Sequence, residues 1–302
     1  MNDLIEKINK LKKEKNAVIL AHCYQNIEID EVADFVGDSL YLSKKAKDTN
    51  ADIIVFAGVS FMAETAKLLS PDKKVLLPRR EAGCYMANMI DLESLKQFKA
   101  KYPNLPVVCY VNSTAEIKAE SDICCTSSNA VKIVEKLKCR EVLFVPDTYL
   151  GKWVEKKLTN VKVHTYNGFC PTHLRVLPED IETARKKYPN AKILSHPECH
   201  QNVTSASDFT GSTKEIMDYV KNSSHKEFVI ATEKGVYDRL KRDYKDKTFY
   251  MIKDNLICKN MKWNTLEDIY FSLSSETTEI KLNKQIMEKA KRSIEKMFEK
   301  EE

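Results

Sequence analysis

Three cysteines stand at near-equal intervals along this chain, each in a turn just past an apolar run. Cys84 follows the run from Val75 to Pro78, Cys170 the run from Val161 to Tyr166, and Cys258 the run from Phe249 to Ile252, at intervals of 86 and 88 residues. A thiol in a turn has the exposure that a ligand or nucleophile needs, whereas a cysteine inside an apolar run serves as a small hydrophobe. Cys170 lies in Asn167-Gly-Phe-Cys-Pro-Thr-His173, so an imidazole follows three residues later. His22, Asn112 and His196 close three other apolar runs, and Tyr24 and Tyr110 flank the first two of these ends. Tyr24 and Tyr110 are candidate donors of protons or hydrogen bonds, and Glu198, in His196-Pro-Glu-Cys199, is the carboxylate best placed for general-base work. Ser39, Ser127 and Ser212 stand where helices should begin, with Thr213 beside the last. Each serine suits a helix cap, and several helix N-termini aimed at one space would bind phosphate and carboxylates.

Side chains so far apart in sequence need elements that bring their ends to one side. Short apolar runs read as buried strands at Ala17 to His22, Ile53 to Ala57, Lys74 to Leu77, Val107 to Asn112, Val142 to Pro146, Val161 to Tyr166, Lys192 to His196, Phe228 to Thr232 and Phe249 to Ile252. Between them fall helical patterns, among them Asp3 to Glu14, Ile29 to Phe35, Ser39 to Lys47, Phe61 to Leu69, Leu92 to Lys101, Ser128 to Leu137, Leu150 to Lys157 and Pro178 to Lys187. An amphipathic helix from Ile286 to Phe298 closes the chain. Buried strands alternating with helices mean parallel sheets covered on both faces.

The alternation repeats. Strand ends at His22, Asn112 and His196 are 90 and 84 residues apart. The serine turns are 88 and 85 apart, and polar turns at Gly58, Asp147 and Glu233 are 89 and 86 apart. Four landmarks thus keep register over three copies. The predicted fold is α/β, with three homologous three-layer αβα units of short parallel sheets in a pseudo-threefold arrangement around a central cavity. The units span 1–96 with Cys84, 97–177 with Cys170, and 178–302 with Cys258 and the closing helix. Ligands of such sheets bind beyond the carboxyl ends of the strands, where the histidines and all three cysteines fall.

Composition narrows the function classes. The 302 residues are 43% hydrophobic and 31% charged, ordinary for a chain with a sizeable core. A net charge of +5 suits small anions, and no basic stripe interleaved with aromatics points to nucleic acid. No apolar run reaches membrane-spanning length, and the charged segment from Met1 to Asn16 contains no signal-like apolar region. A cytoplasmic location is expected, where nine cysteines argue for metal binding, catalysis or burial over disulfides. Three cysteine ligands leave two metal readings. One is zinc of the Cys₃His type with His173 or His196 as fourth ligand, although structural zinc ligands usually come in close pairs. The other is a [4Fe–4S] cluster with one iron not ligated by protein, free to act as a Lewis acid.

The motif set Ala21-His-Cys-Tyr-Gln25, Val36-Gly-Asp-Ser39, Phe61-Met-Ala-Glu-Thr-Ala-Lys67, Tyr110-Val-Asn112, Cys125-Thr-Ser-Ser-Asn129, Gly168-Phe-Cys-Pro-Thr-His173, His196-Pro-Glu-Cys199, Gly211-Ser-Thr213 and Cys258-Lys-Asn-Met261 closely resembles quinolinate synthase. The resemblance covers nearly the whole chain. It implies three α/β domains around a cavity, a [4Fe–4S] cluster held by Cys84, Cys170 and Cys258, and a transferase condensing iminoaspartate with dihydroxyacetone phosphate to quinolinate for NAD biosynthesis. It implies further that His22, Tyr24, Tyr110, Asn112, His173, His196 and Glu198 line the cavity. Ser39, Ser127, Ser212 and Thr213 would hold phosphate and carboxylates, Tyr24 and Glu198 would transfer protons, and the open iron would assist a late dehydration. An L-aspartate oxidase supplying iminoaspartate is the implied functional partner. Where some family members carry extra cysteines after the last ligand, this chain has Met261 and Asn264, which argues against a disulfide switch there. Cys23 is either near the site or buried, and Cys109, Cys124, Cys125, Cys139 and Cys199 are assigned to packing. The rival readings are a cluster-binding sensor without catalysis and a zinc hydrolase.

Overall fold

The computed structural model describes residues 2–299. Among these residues there are three four-stranded parallel sheets flanked by helices, as the alternation predicts. The first sheet comprises β1 (Ala17–His22), β2 (Phe35–Gly37), β3 (Ile53–Ala57) and β4 (Lys74–Leu76), in the order β2-β1-β3-β4. The second has β5 (Val107–Tyr110), β6 (Ile123–Cys125), β7 (Glu141–Val145) and β8 (Lys162–Thr165), in the order β6-β5-β7-β8. The third has β9 (Lys192–Ser195), β10 (Phe209–Thr210), β11 (Glu227–Ala231) and β12 (Thr248–Met251), in the order β10-β9-β11-β12. One strand order recurs three times, so the sequence rhythm is a repeat of topology.

Packing divides the described chain into two compact units, one formed by residues 2–92, 111–124 and 259–299, the other by 93–110 and 125–258. In the first, β1 lies between β2 and β3, with Leu20 opposite Phe35 and Ala17 opposite Ile53. Ile19, Ala21, Val55 and Ala57 point to a core completed by Ile8, Ile269 and Leu273 from the helices Asn2–Glu14 and Leu266–Ser275. In the second unit, β9 lies between β10 and β11, with Leu194 opposite Phe209 and Lys192 opposite Phe228. Ile193, Val229 and Ala231 pack there on Ile181 and Ala184 of the helix Pro178–Lys187 and on Val203.

The structure corrects two expected elements. Ile29 to Phe35 is not an α-helix: a short 3-10 turn covers Ile27–Glu31, and Phe35 begins β2. Ile29 and Val32 are buried as the periodicity requires, but the segment stops after one turn and extends beside β1. The closing helix spans Lys284–Glu295 and tightens to a 3-10 turn over Lys296–Phe298.

Candidate active site

Each of the three cysteine turns follows the edge strand of its sheet, β4, β8 or β12. Each is fastened by one backbone bond in the same register. Ser60 N–H donates to Ala82 O, Thr148 N–H to Gly168 O, and Lys234 N–H to Leu256 O, all at 2.8 Å. The acceptor is always two residues before the cysteine. The donor always follows the residue that ends the neighbouring strand's turn, namely Val59, Asp147 or Glu233. Cys84, Cys170 and Cys258 emerge half-buried, whereas Cys23, Cys109, Cys124, Cys125 and Cys199 are buried. Cys23 is buried, and Cys139 is only partly buried.

Within the unit that holds 125–258, five predicted side chains converge. Tyr110 ends β5, His196 follows β9, and Glu198 lies two residues on, before the helix Gln201–Ala206. The Tyr110 hydroxyl donates to Glu198 Oε1 at 2.6 Å, and His173 Nδ1 meets Glu198 Oε2 at 2.7 Å. The same Nδ1 lies 3.2 Å from Cys170 Sγ, and His173 Nε2 lies 2.8 Å from the Thr232 hydroxyl. A ring nitrogen facing a carboxylate carries a proton, so Nδ1 is a donor toward Glu198, while Nε2 and the Thr232 hydroxyl share a hydrogen bond. The His196 ring stacks on His173 at 4.6 Å between centroids, and its Nδ1 accepts the Glu198 N–H at 3.2 Å. His196 therefore carries its proton on Nε2.

Burial sets the charges. It depresses the His196 pKa to about 3, against the pull of Glu198 and with help from His173, so the ring is neutral at pH 7. Burial alone would raise the Glu198 carboxyl, but His173 and the hydrogen bonds from His173 and Tyr110 outweigh it, and the group stays ionised beside the neutral His196. Asp147 behaves oppositely. Burial first, then the Glu198 charge, push its carboxyl well above the usual range, despite the amides of Leu150, Tyr149 and Cys170. Two buried carboxyls thus share one neighbourhood with their proton affinities pushed in opposite directions, the arrangement that separates an acid from a base. Sequence reasoning registers Asp147 only as a polar turn and gives Thr232 no role. Their burial is the signal, and it is invisible before folding.

The remaining predicted residues lie elsewhere. In the unit containing 2–92, His22 ends β1, and its Nδ1 accepts the Tyr24 N–H at 3.1 Å while the two rings meet edge to face at 4.6 Å. This repeats the His196–Glu198 turn with tyrosine in place of glutamate. Asn112 lies two residues past β5, and its Oδ1 is buried with no hydrogen bond among the described residues. Of the serines, only Ser212 caps a helix, accepting the Glu215 N–H while Glu215 accepts its own. Asp38 caps the helix that Ser39 begins, and Ser127 precedes the cap Asn129 by two residues. Ser39 and Ser127 thus keep their hydroxyls out of the cap role predicted for them. Thr213 is buried in the first turn after Ser212.

The donor set fits a metal group. Sγ of Cys170, a ring nitrogen of His173 and an oxygen of Glu198 all lie within 4.8 Å of one another. Cys84 and Cys258 offer half-exposed thiols at matching places in their sheets. Among the described residues no helix is long and apolar enough to cross a membrane.

A family model described as quinolinate synthetase A protein matches residues 6–299. A quinolinate synthase of Alkaliphilus metalliredigens is 52% identical over 297 residues, 98% of either chain. Those of Caldicellulosiruptor bescii and Clostridium perfringens are 49% and 48% identical, again over 98% of each chain.

Proposed function

The chain belongs to the quinolinate synthetase A family and is an enzyme, and on that premise we propose that it condenses iminoaspartate with dihydroxyacetone phosphate to quinolinate, releasing phosphate and water, as a step of NAD biosynthesis. The observation that carries the reading is the ionised, buried carboxylate of Glu198, gripped by Tyr110 and His173 beside a neutral His196. A condensation that ends in an aromatic ring must remove protons from carbon and return them to departing oxygens, so it needs a base and acids within reach. Glu198 is the base. Its two donors hold its basicity down, and a substrate group that displaces the Tyr110 hydroxyl raises it. Tyr110 and Tyr24 relay protons. His196, neutral and protonated on Nε2, donates a hydrogen bond to substrate oxygen without adding a charge. His173 holds Glu198 in place, and His22 orients Tyr24.

Ser39, Ser127, Ser212 and Thr213 bind the phosphate and carboxylates of a substrate pair that is anionic throughout. Asn112 adds its unsatisfied Oδ1 as an acceptor for a substrate N–H or O–H. Cys84, Cys170 and Cys258 would hold a [4Fe–4S] cluster with one iron free of protein ligands. Such a group supplies a Lewis acid for dehydration when bound. The reaction makes the enzyme a transferase, and its cytoplasmic setting would let an L-aspartate oxidase deliver the short-lived imine.

The grouping of Cys170, His173 and Glu198 also suits a single ion such as zinc. It is disfavoured because both His173 nitrogens are engaged, one by Glu198 and the other by Thr232. The test is anaerobic incubation of cluster-loaded protein with iminoaspartate and dihydroxyacetone phosphate, following quinolinate by mass spectrometry. Product that depends on both substrates is expected. A loaded protein that forms none would overturn the assignment.

A further inference from the structure

The three cysteine turns share one backbone clamp but differ at the residue that ends the neighbouring strand's turn. We propose that Glu233 is the positioning residue of the third turn, its carboxylate gripping the Cys258 amide and the first turn of the following helix together. Oε1 accepts the Cys258 N–H at 3.1 Å, and Oε2 accepts the Gly235 N–H at 2.6 Å. The side chain has no solvent exposure. Glu233 caps the helix Lys234–Asp243, and Lys234 N–H donates to Leu256 O at 2.8 Å. The segment from Leu256 to Cys258 is therefore tied to the end of β11 at two points two residues apart, one through backbone and one through the carboxylate.

Neither sister turn has this fork. Val59 occupies the place in the first and brings no polar group. Asp147 occupies it in the second and is one methylene shorter. Its Oδ1 is committed to the Leu150 N–H at 2.6 Å, and its buried Oδ2 makes no hydrogen bond among the described residues, although the Cys170 amide lies close enough to act on its charge. Only glutamate spans from the helix start to the cysteine. A buried fork of two amide-to-carboxylate bonds fixes the Cys258 backbone before any metal arrives, so less freedom is lost when the thiol becomes a ligand. This deepens the reading of Cys258 as a cluster ligand and rests on it.

The test uses the full chain, in metal-free and cluster-loaded forms, as wild type, Glu233→Gln and Glu233→Asp. The glutamine keeps one acceptor and turns an N–H₂ toward the other donor. The aspartate keeps the charge but cannot reach both amides. In metal-free wild type, the Cys258 amide should exchange with deuterium more slowly than those of exposed Asp254 and Asn255. Either variant should speed exchange and iodoacetamide alkylation at Cys258 by about tenfold, the effect of one lost charge-assisted bond, and leave Cys170 unchanged. Loaded variants should still take up wild-type iron but release it to a chelator several-fold faster. Unprotected Cys258 in wild type, or variants that exchange and release as wild type does, would overturn the clamp. If both variants misfold, the wild-type exchange comparison still decides it. Wild type that takes up no iron would sink the ligand reading of Cys258, while exchange at its amide would continue to decide the role of Glu233.

Discussion

His196 makes the charge state of the site measurable through stability. Its ring is 2% exposed, stacks on His173, and has a pKa pushed down by burial to about 3 from 6.5. The unfolded chain therefore takes up a proton at this residue below pH 6.5, and the folded protein refuses it until about pH 3. A depressed histidine pKa means that stability is lost as pH falls through this window, because the unfolded state binds the extra proton. Between pH 7 and pH 5 the loss from this one group is about 2 kcal/mol, from 1.36 kcal/mol per unit of pH over roughly one and a half units. Asp147, whose folded carboxyl is raised, also titrates differently on folding, but it is present in wild type and variant alike. The perturbation is His196→Asn, whose side-chain oxygen can still accept the Glu198 N–H. The assay is urea unfolding of metal-free wild type and variant at both pH values. The variant will be less stable at pH 7 because it loses ring packing, but its further loss on going to pH 5 should be about 2 kcal/mol smaller than that of wild type. The difference of differences removes the other histidines. Equal losses in the two proteins would refute the claim that burial holds His196 neutral.

Two other outcomes follow from the same geometry. Glu198→Gln removes the charge that accepts from Tyr110 and His173, and quinolinate formation should fall by roughly 10²–10⁴-fold with iron content unchanged; intact turnover would end its role as base. Gly168→Ala would set a Cβ 2.5 Å from the Pro146 carbonyl oxygen, which also accepts the Gly168 N–H at 3.0 Å, so neither backbone can give way. The Cys170 turn should shift, stability should drop by about 1–3 kcal/mol, and iron per chain after reconstitution should fall with it.

Much of the architecture was legible because buried parallel strands announce themselves as apolar runs. Ala17–His22 and Ile53–Ala57 begin and end where the sequence places them, and the helix Pro178–Lys187 starts at its proline. The strands β2 and β10 escaped detection for a physical reason. They have three and two residues, lie at sheet edges, and are only half-buried, so neither length nor hydrophobicity separates them from loop. Ile29 to Phe35 misled because Ile29 and Val32 have helical spacing, which a single 3-10 turn satisfies equally well. In the site, side-chain type identified Tyr110, His173, His196 and Glu198, and the fold draws these four together. Asp147, Thr232 and Glu233 were out of reach. A carboxylate in a polar turn is ordinarily solvated, and only the sheet that closes over these three makes them buried partners of the histidine and cysteine turns.

The central claim is that three distant cysteines serve one iron–sulfur group. Its most direct measurement is iron and acid-labile sulfide per chain after anaerobic purification, beside the variant with Cys84, Cys170 and Cys258 all changed to alanine. The account predicts about four of each in wild type and none in the variant. Iron retained by the variant, or one zinc per chain in wild type, would contradict it.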